Sequence, residues 1–528
     1  MANPSSQKIQ EVTKPAAIIT KDTHIRDKKS GQVENMTESS GREIPGQARC
    51  RQTDERSPSM SGHLPAAHTP QEAPRSHDVS HQEIYILKVC RALMMYGAPT
   101  HRLEVYMQRT AEALELHLQS FYMPGLMIIS VSDRLWRSKD VQIIRCTQSL
   151  NLSKLYDVHA VYKDVIHATI SIEDATARLD DIMDSEEKFP IWFLIPVYGL
   201  ACTFIGPVSY EARPVDLPII FVFGSAIGCL ELIFAPKSEL YGYIFEISSA
   251  VLSSFVGRAL GSIHLGNDRC FCFSAVAQAS LVLILPGFTI TNSALELQSR
   301  NIVSGAVRLV YGIVYTLFLA FGFIVGIAIY GAIDKNATSS TSCTPASPFW
   351  WQIIFVVPFT LCYIIVNQGK WRKIPPMLIV TLAGWLVNHF SSQRLSAVPS
   401  LAPALGAFTV GLLSNIYSRM GHGLAIALMH PAIYVLVPGN LAASGSLIGG
   451  VTIADELTHH ATNGTIFGGS KLSNSTGATS YAPASSTILE AGYSMIEIGI
   501  GITVGLSASA FLVYPFRKER GKSGIFSF

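Results

Sequence analysis

Charge is scarce in this chain. Asp, Glu, Lys and Arg make up 15% of its 528 residues and the formal net charge is +2. Nucleic acids are gripped by clustered Lys and Arg, so a near-neutral chain is not expected to have a nucleic-acid partner. Cysteine is also scarce and odd in number, nine in all, with no spacing that reads as a disulfide framework. Cys270 and Cys272 stand too close for a CxxC site, and small buried side chains are the expectation. No short apolar run follows a basic start near Met1, which argues against a cleavable signal peptide and leaves the first spanning helix as the membrane signal. Also lacking are a nucleophile in an activating context and a phosphate loop. Gly257, Gly261 and Gly266 do not make such a loop and are expected to let helices approach closely. The cluster Asp455, Glu456, His459 and His460 has i, i+4 spacing, but its Gly/Thr/Asn-rich surroundings read as a solvated loop. No enzyme activity, cofactor or metal is expected.

What the chain has in abundance is apolar sequence. Apolar residues reach 48% and mean hydropathy is +0.31 although the start of the chain is strongly polar. A helix rising 1.5 Å per residue needs about 20 apolar residues to cross a bilayer core. Runs at roughly 191–209, 216–234, 240–260, 270–285, 302–333, 350–367, 375–391, 401–418, 422–437 and 488–515 approach or exceed that length. The fold class expected is an α-helical polytopic membrane protein of about ten transmembrane helices, preceded by a small soluble α+β domain. With a cytoplasmic N-terminus, the inner loops and tail collect Lys237, Arg300, Lys370, Arg372, Lys373, Arg419, Arg517, Lys518, Arg520 and Lys522. The outer loops collect only Arg213, Arg269, Lys335, Arg394 and Lys471, so both termini should face the cytoplasm. The N-x-Thr sequons at Asn336, Asn463 and Asn474 all fall in loops this topology places outside, and the plasma membrane is the suspected location.

The expected domains are a disordered cytoplasmic tail over 1–79, the soluble domain over 80–188, membrane repeats over 189–334 and 349–516, and a cytoplasmic tail over 517–528. Within the soluble domain, helices are predicted from Glu83 to Tyr96 and from Pro99 to about Leu116, then strands at Met127–Val131 and Val141–Cys146. Helices over Leu152–Ala168 and Ile172–Met183 complete it, the second capped by Ser171 with Asp174 in capping-box spacing.

The two membrane halves resemble each other. PIWFLIPVYGL in span one matches PFWWQIIFVVP in span six, and LVLILPG ending span four matches IYVLVPG ending span nine. Gly312 is set against Gly501 and Arg308 against Glu497. Five spans per half would invert the second copy in the membrane, an architecture that exposes one midplane site alternately to either side.

The run RALMMYGAPTHRLE over Arg91–Glu104, a small soluble domain after it, LPGFTITNSALEL from Leu285, and a glycine-rich fifth span together resemble the threonine/serine exporter family. The resemblance is strongest to its fungal branch, the pheromone-regulated membrane proteins, and covers roughly residues 82–516. It implies secondary export of small hydrophilic metabolites, and related two-chain systems imply dicarboxylates as an alternative. The chain departs from the bacterial pattern in its polar head and in the long loop from Asn440 to Thr487.

Candidate site residues follow from polarity at membrane depth, where a charge is costly and faces a cavity or partner. Pro286, Gly287, Thr289, Thr291 and Asn292 are expected to form a broken-helix binding segment whose free backbone groups line a cavity, with Pro438, Gly439 and Asn440 as its counterpart. Arg308 and Glu497 are expected to bind substrate or to pair with each other. Glu231, which matches Asn388/His389 by offset from Pro218, together with Glu246 and His389, are the proton-coupling candidates. Arg91, Gly97, Pro99, His101, Arg102 and Glu104 bracket a turn of the soluble domain, read either as a gating or regulatory site or as a structural ion-pair turn. The functional expectation is proton-coupled export of threonine, serine or similar metabolites, with a small-molecule substrate and the lipid bilayer as partners and a homo-oligomer left open. The alternative is a non-transporting sensor or mating and cell-fusion factor that signals through its cytosolic domain.

Overall fold

The structure is a computed structural model that describes residues 75–132, 139–265, 268–334, 336–341, 343, 348–395, 398, 400–420, 423–437, 447–452 and 484–514. Of the head expected to be disordered over 1–79, residues 1–74 lie outside these residues and 75–79 are instead helical; the C-terminal tail over 517–528, Pro438–Asn440, the Asp455–His460 cluster, and Asn463 and Asn474 also lie outside.

The soluble part opens with α1 (Arg75–Met95) and α2 (Thr100–Ala113). Between them Gly97 adopts φ +80°, the left-handed residue that ends a helix, and the Ala98 amide donates to the Leu93 carbonyl (3.0 Å). The sheet has three antiparallel strands in order β1 (His117–Met123), β2 (Leu126–Ser132) and β3 (Lys139–Arg145). Sequence reasoning missed β1 and carried helix through to Leu116. The chain instead leaves the helix at Ala113, and Glu115 at φ +57° redirects it into a strand pairing Phe121 with Ile128. Then α3 (Leu152–Ile166) and α4 (Ile172–Asp184) begin at side-chain caps, Asn151 accepting from the Lys154 amide and Ser171 from the Asp174 amide, the latter as the capping-box spacing predicts.

The membrane part continues with α5 (Ile191–Ser209), α6 (Leu217–Lys237), α7 (Glu239–Gly261), α8 (Phe273–Ala279), α9 (Gly287–Gln298) and α10 (Ile302–Ile333). After these come α11 (Phe349–Val366), α12 (Ile374–Arg394), α13 (Leu401–Arg419), α14 (Ala425–Leu436) and α15 (Ala484–Val513). Among the described residues eight helices are long and apolar enough to cross a membrane, and the stretch 273–298, bent by 51°, is a broken span or a re-entrant pair. The span predicted at 422–437 is met by α14, a helix of 12 residues and about 18 Å, too short to cross alone.

One buried core joins the soluble helices to the membrane helices: Ile86, Leu155 and Tyr162 belong to the same cluster as Met377, Leu428 and Ile502. Amides of Leu152 and Ser153 donate to the carbonyls of Asn367 (3.0 Å) and Gln368 (3.2 Å), and Lys370 pairs with Asp157. A second core collects α5 to α8, the 281–285 turn and α10 with Phe359 and Tyr363 of α11. Where the sequence predicted only small buried cysteines, Cys272 and Cys343 are joined as a disulfide.

Candidate functional site

The site forms where α8 and α9 fail to make one straight helix. Leu281 and Leu285 close a 3-10 turn over Val282–Ile284, and α9 starts afresh at Pro286, whose missing amide and fixed φ suit a helix start. The expected loss of the backbone ladder over Pro286–Asn292 is therefore corrected. The break lies upstream, at 280–286, and Thr289, Thr291 and Asn292 sit on the first turns of α9.

Beside the break lies a cavity of about 640 Å³, within the usual range for small-ligand sites. Pro286, Thr289, Thr291 and Asn292 line one wall, Glu231 and Glu246 another, and Arg308 a third. From the soluble domain, Gly97, Pro99 and His101 close over it. Burial pushes the His101 imidazole down to about 3, with the Arg102 charge adding to the effect, so it stands neutral at the cavity mouth. Of the remaining candidates, Gly287 lines a small neighbouring crevice, and Glu104 accepts the Tyr122 amide (2.9 Å). Arg91, Arg102, Glu104, His389 and Glu497 are not among the residues lining the cavity. His389 packs against Phe349 (4.7 Å between ring centroids) and Trp385 (5.1 Å), while Glu497 accepts from Ser400 Oγ (3.0 Å).

Arg308 does not pair with Glu497. Its Nη1 lies 3.4 Å from Glu296 Oε1, and Nη2 donates to the Tyr122 hydroxyl (2.8 Å) and Gln148 Oε1 (2.7 Å). Glu296, 1% exposed, also accepts from Ser304 Oγ (2.6 Å) and from the Thr100 hydroxyl of the soluble domain. The approach of α9 to α10 that makes this possible needs Gly305, since a Cβ there would sit 2.9 Å from the Leu297 amide nitrogen. On the facing wall Tyr198 of α5 donates to Glu231 Oε2 (2.6 Å), and Glu231 stands in a π-helical turn over Leu230–Phe234. Such turns insert one extra residue and re-aim side chains. His430 of α14 packs against Phe288 (4.4 Å) and near Tyr363.

Sequence reasoning missed Glu296, Thr100, Tyr122, Gln148, Tyr198 and His430. Glu296 had a signal, being the one carboxylate within LPGFTITNSALEL. The others are polar groups whose role comes only from packing.

The model of the threonine/serine exporter family matches residues 84–330 and 341–447. The chain belongs to the threonine/serine exporter family. Among curated relatives of this family member, pheromone-regulated membrane protein 10 of Candida albicans is 43% identical over 452 residues, covering 85% of this chain and 39% of the relative. An uncharacterized protein of Schizosaccharomyces pombe is 44% identical over 453 residues, covering 85% and 57%. The protein named like the first in Debaryomyces hansenii is 42% identical, covering 85% and 43%. The chain thus spans between about two fifths and three fifths of the length of these relatives. No solved structure matches it. Family membership and the apolar helices together make this a multi-pass membrane protein of a transporter family rather than an enzyme family.

Proposed function

We propose that this chain is a proton-coupled secondary transporter that exports small polar metabolites such as threonine and serine. The observation that carries the reading is the cavity at the α8/α9 break, which gathers Glu231, Glu246 and Arg308 between apolar helices beside the polar first turns of α9. Among the described residues of its wall, the carboxylates of Glu231, Glu246 and Glu296 face the single guanidinium of Arg308. That balance favours a substrate bearing an ammonium over a dicarboxylate. Glu231 is the proposed proton carrier, since a carboxylate donated to by Tyr198 in a low-dielectric wall can exchange a proton as the cavity changes sides.

The proposed architecture is two inverted repeats of five membrane segments each, α14 being the segment too short to cross by itself, with both termini cytoplasmic and the plasma membrane as location. Supporting the repeat is a shared crossing: FGFIVG in α10 and IGITVG in α15 each present two glycines to a neighbouring helix. Gly322 and Gly326 meet Ala250 and Ser254 of α7, and Gly501 and Gly505 meet Ser400, which caps α13, and Ala404 within it. This register sets Gly322, not Gly312, against Gly501, and it removes the equivalence of Arg308 with Glu497. Supporting the orientation, the Cys272–Cys343 disulfide and the exposed sequon at Asn336 fall on the side assigned to the exterior, where disulfides persist.

The test is efflux of preloaded radiolabelled threonine, serine and succinate from proteoliposomes under an imposed pH gradient. Gradient-dependent movement of the amino acids is the expected result. No movement of any of the three, from folded protein, would favour signalling through the cytosolic domain.

A further inference from the structure

The polar cluster beneath the soluble domain has the chemistry of a zwitterion site. Glu296 and Arg308 are brought together across the α9/α10 hairpin at 3.4 Å, longer than the usual 2.7–2.9 Å of a charge-assisted bond, and both line the cavity. Their remaining valences are met by neutral groups. Glu296 takes hydroxyls from Thr100 and Ser304, and Arg308 is met by the phenol of Tyr122 and the amide oxygen of Gln148. A charged ligand group competes well against neutral ones, because it keeps the charge-assisted hydrogen bond and adds a direct Coulomb attraction that a hydroxyl or an amide lacks. Three of the four neutral groups come from the soluble domain, which is anchored separately to the α11–α12 connection through Leu152, Ser153 and Asp157.

Building on the transport reading, we infer that Glu296 receives the ammonium and Arg308 the carboxylate of an α-amino acid, and that Thr100, Tyr122 and Gln148 are their exchangeable partners. The soluble domain is then part of the binding site. An ammonium reaching Glu296 displaces the Thr100 hydroxyl, and a carboxylate reaching Arg308 displaces Gln148, so occupancy loosens the 97–101 turn from the cavity mouth. Glu231 and Glu246 on the other walls stay free for the coupling ion. The assignment predicts specificity for molecules that carry both charges on one carbon.

The experiment measures binding to the full purified chain in detergent, with threonine, threonine methyl ester, N-acetylthreonine and succinate as probes. The wild type should prefer threonine over each of the other three by about tenfold or more, the size expected for one charged hydrogen bond. Arg308→Gln should abolish the preference over the methyl ester alone, and Glu296→Gln the preference over N-acetylthreonine alone. Gln148→Ala removes the group that the ligand carboxylate displaces from Arg308, and with it a donor to the Tyr122 hydroxyl (2.7 Å), so it should tighten threonine and leave the methyl ester unchanged. Unchanged preferences in the variants, or loss of both in each variant, would overturn the assignment, as would a wild type blind to threonine. Flux in proteoliposomes separates the two readings. Gradient-driven succinate movement without threonine binding would keep transport and remove the zwitterion site, whereas binding with these preferences and no flux would do the reverse.

Discussion

Glu231 and His159 show how one side chain's surroundings decide its chemistry. Glu231 sits on a cavity wall with Tyr198 donating to it, and under the proposed coupling it is the group that takes up and releases the proton. Glu231→Gln is expected to abolish the pH-gradient dependence of efflux while leaving counterflow exchange of unlabelled for labelled amino acid, a contrast read in the same vesicles. Tyr198→Phe should shift the pH optimum rather than remove coupling. His159 is different: it is 4% exposed, wedged edge-on to Tyr106 and tilted against Tyr162, and burial, with Lys163 adding to it, pushes its imidazole down to about 3. The unfolded chain takes up a proton near pH 6.5 and the folded one does not. Stability is therefore intact above about pH 6.5 and falls by roughly 1.4 kcal/mol per pH unit below it, down to about pH 3. Melting curves between pH 7 and pH 5 should show a decline to which His101 adds in the same sense, and His159→Phe should make it shallower by one proton's worth.

At the scale of helices, small residues set which elements can cross closely. A Cβ on Gly326 would lie 2.4 Å from the Val251 carbonyl oxygen and 2.1 Å from Ser254 Oγ, so Gly326→Val must push α10 off α7. The expected cost is about 1–3 kcal/mol of stability, with a fall in flux, because strain in a packed crossing is transmitted rather than absorbed. Gly492 of α15 has nothing within 4 Å of an added Cβ, and Gly492→Ala should be neutral or slightly stabilising, which makes it the control in the same melting assay. Helix positions were largely legible in the sequence: 302–333 and 191–209 are reproduced as predicted, because hydropathy and helix length are local quantities. The start of α9 was misjudged by one to two turns, since Pro286 was read as the end of a helix when it opens the next one. Proline stops one helix and starts another with equal ease, and only the packing of α9 against α10 distinguishes them.

For the molecule as a whole, cross-links and buried anchors hold the face opposite the soluble domain. Cys272 is bonded to Cys343, Asp216 accepts the Cys272 amide (2.9 Å), and Arg258 donates to the Thr338 (3.1 Å) and Ile327 (2.9 Å) carbonyls. Cys343→Ser should lower stability by about 2–4 kcal/mol. Reductant should reproduce that loss in the wild type and add nothing in the variant. The orientation is checked by glycosylation at Asn336, expected in intact cells and lost in Asn336→Gln, while a C-terminal tag should be shielded from external protease. The sequence by itself determined that the chain lies in the membrane, that a small α+β unit precedes the spans, and which family it belongs to, because composition, periodicity and a contiguous motif survive in one dimension. Tertiary structure alone decided that Thr100 meets Glu296 across 196 positions and that Tyr122 and Gln148 reach Arg308. Such meetings depend on how helices stack, and no local preference of the chain encodes which buried charge will face which hydroxyl.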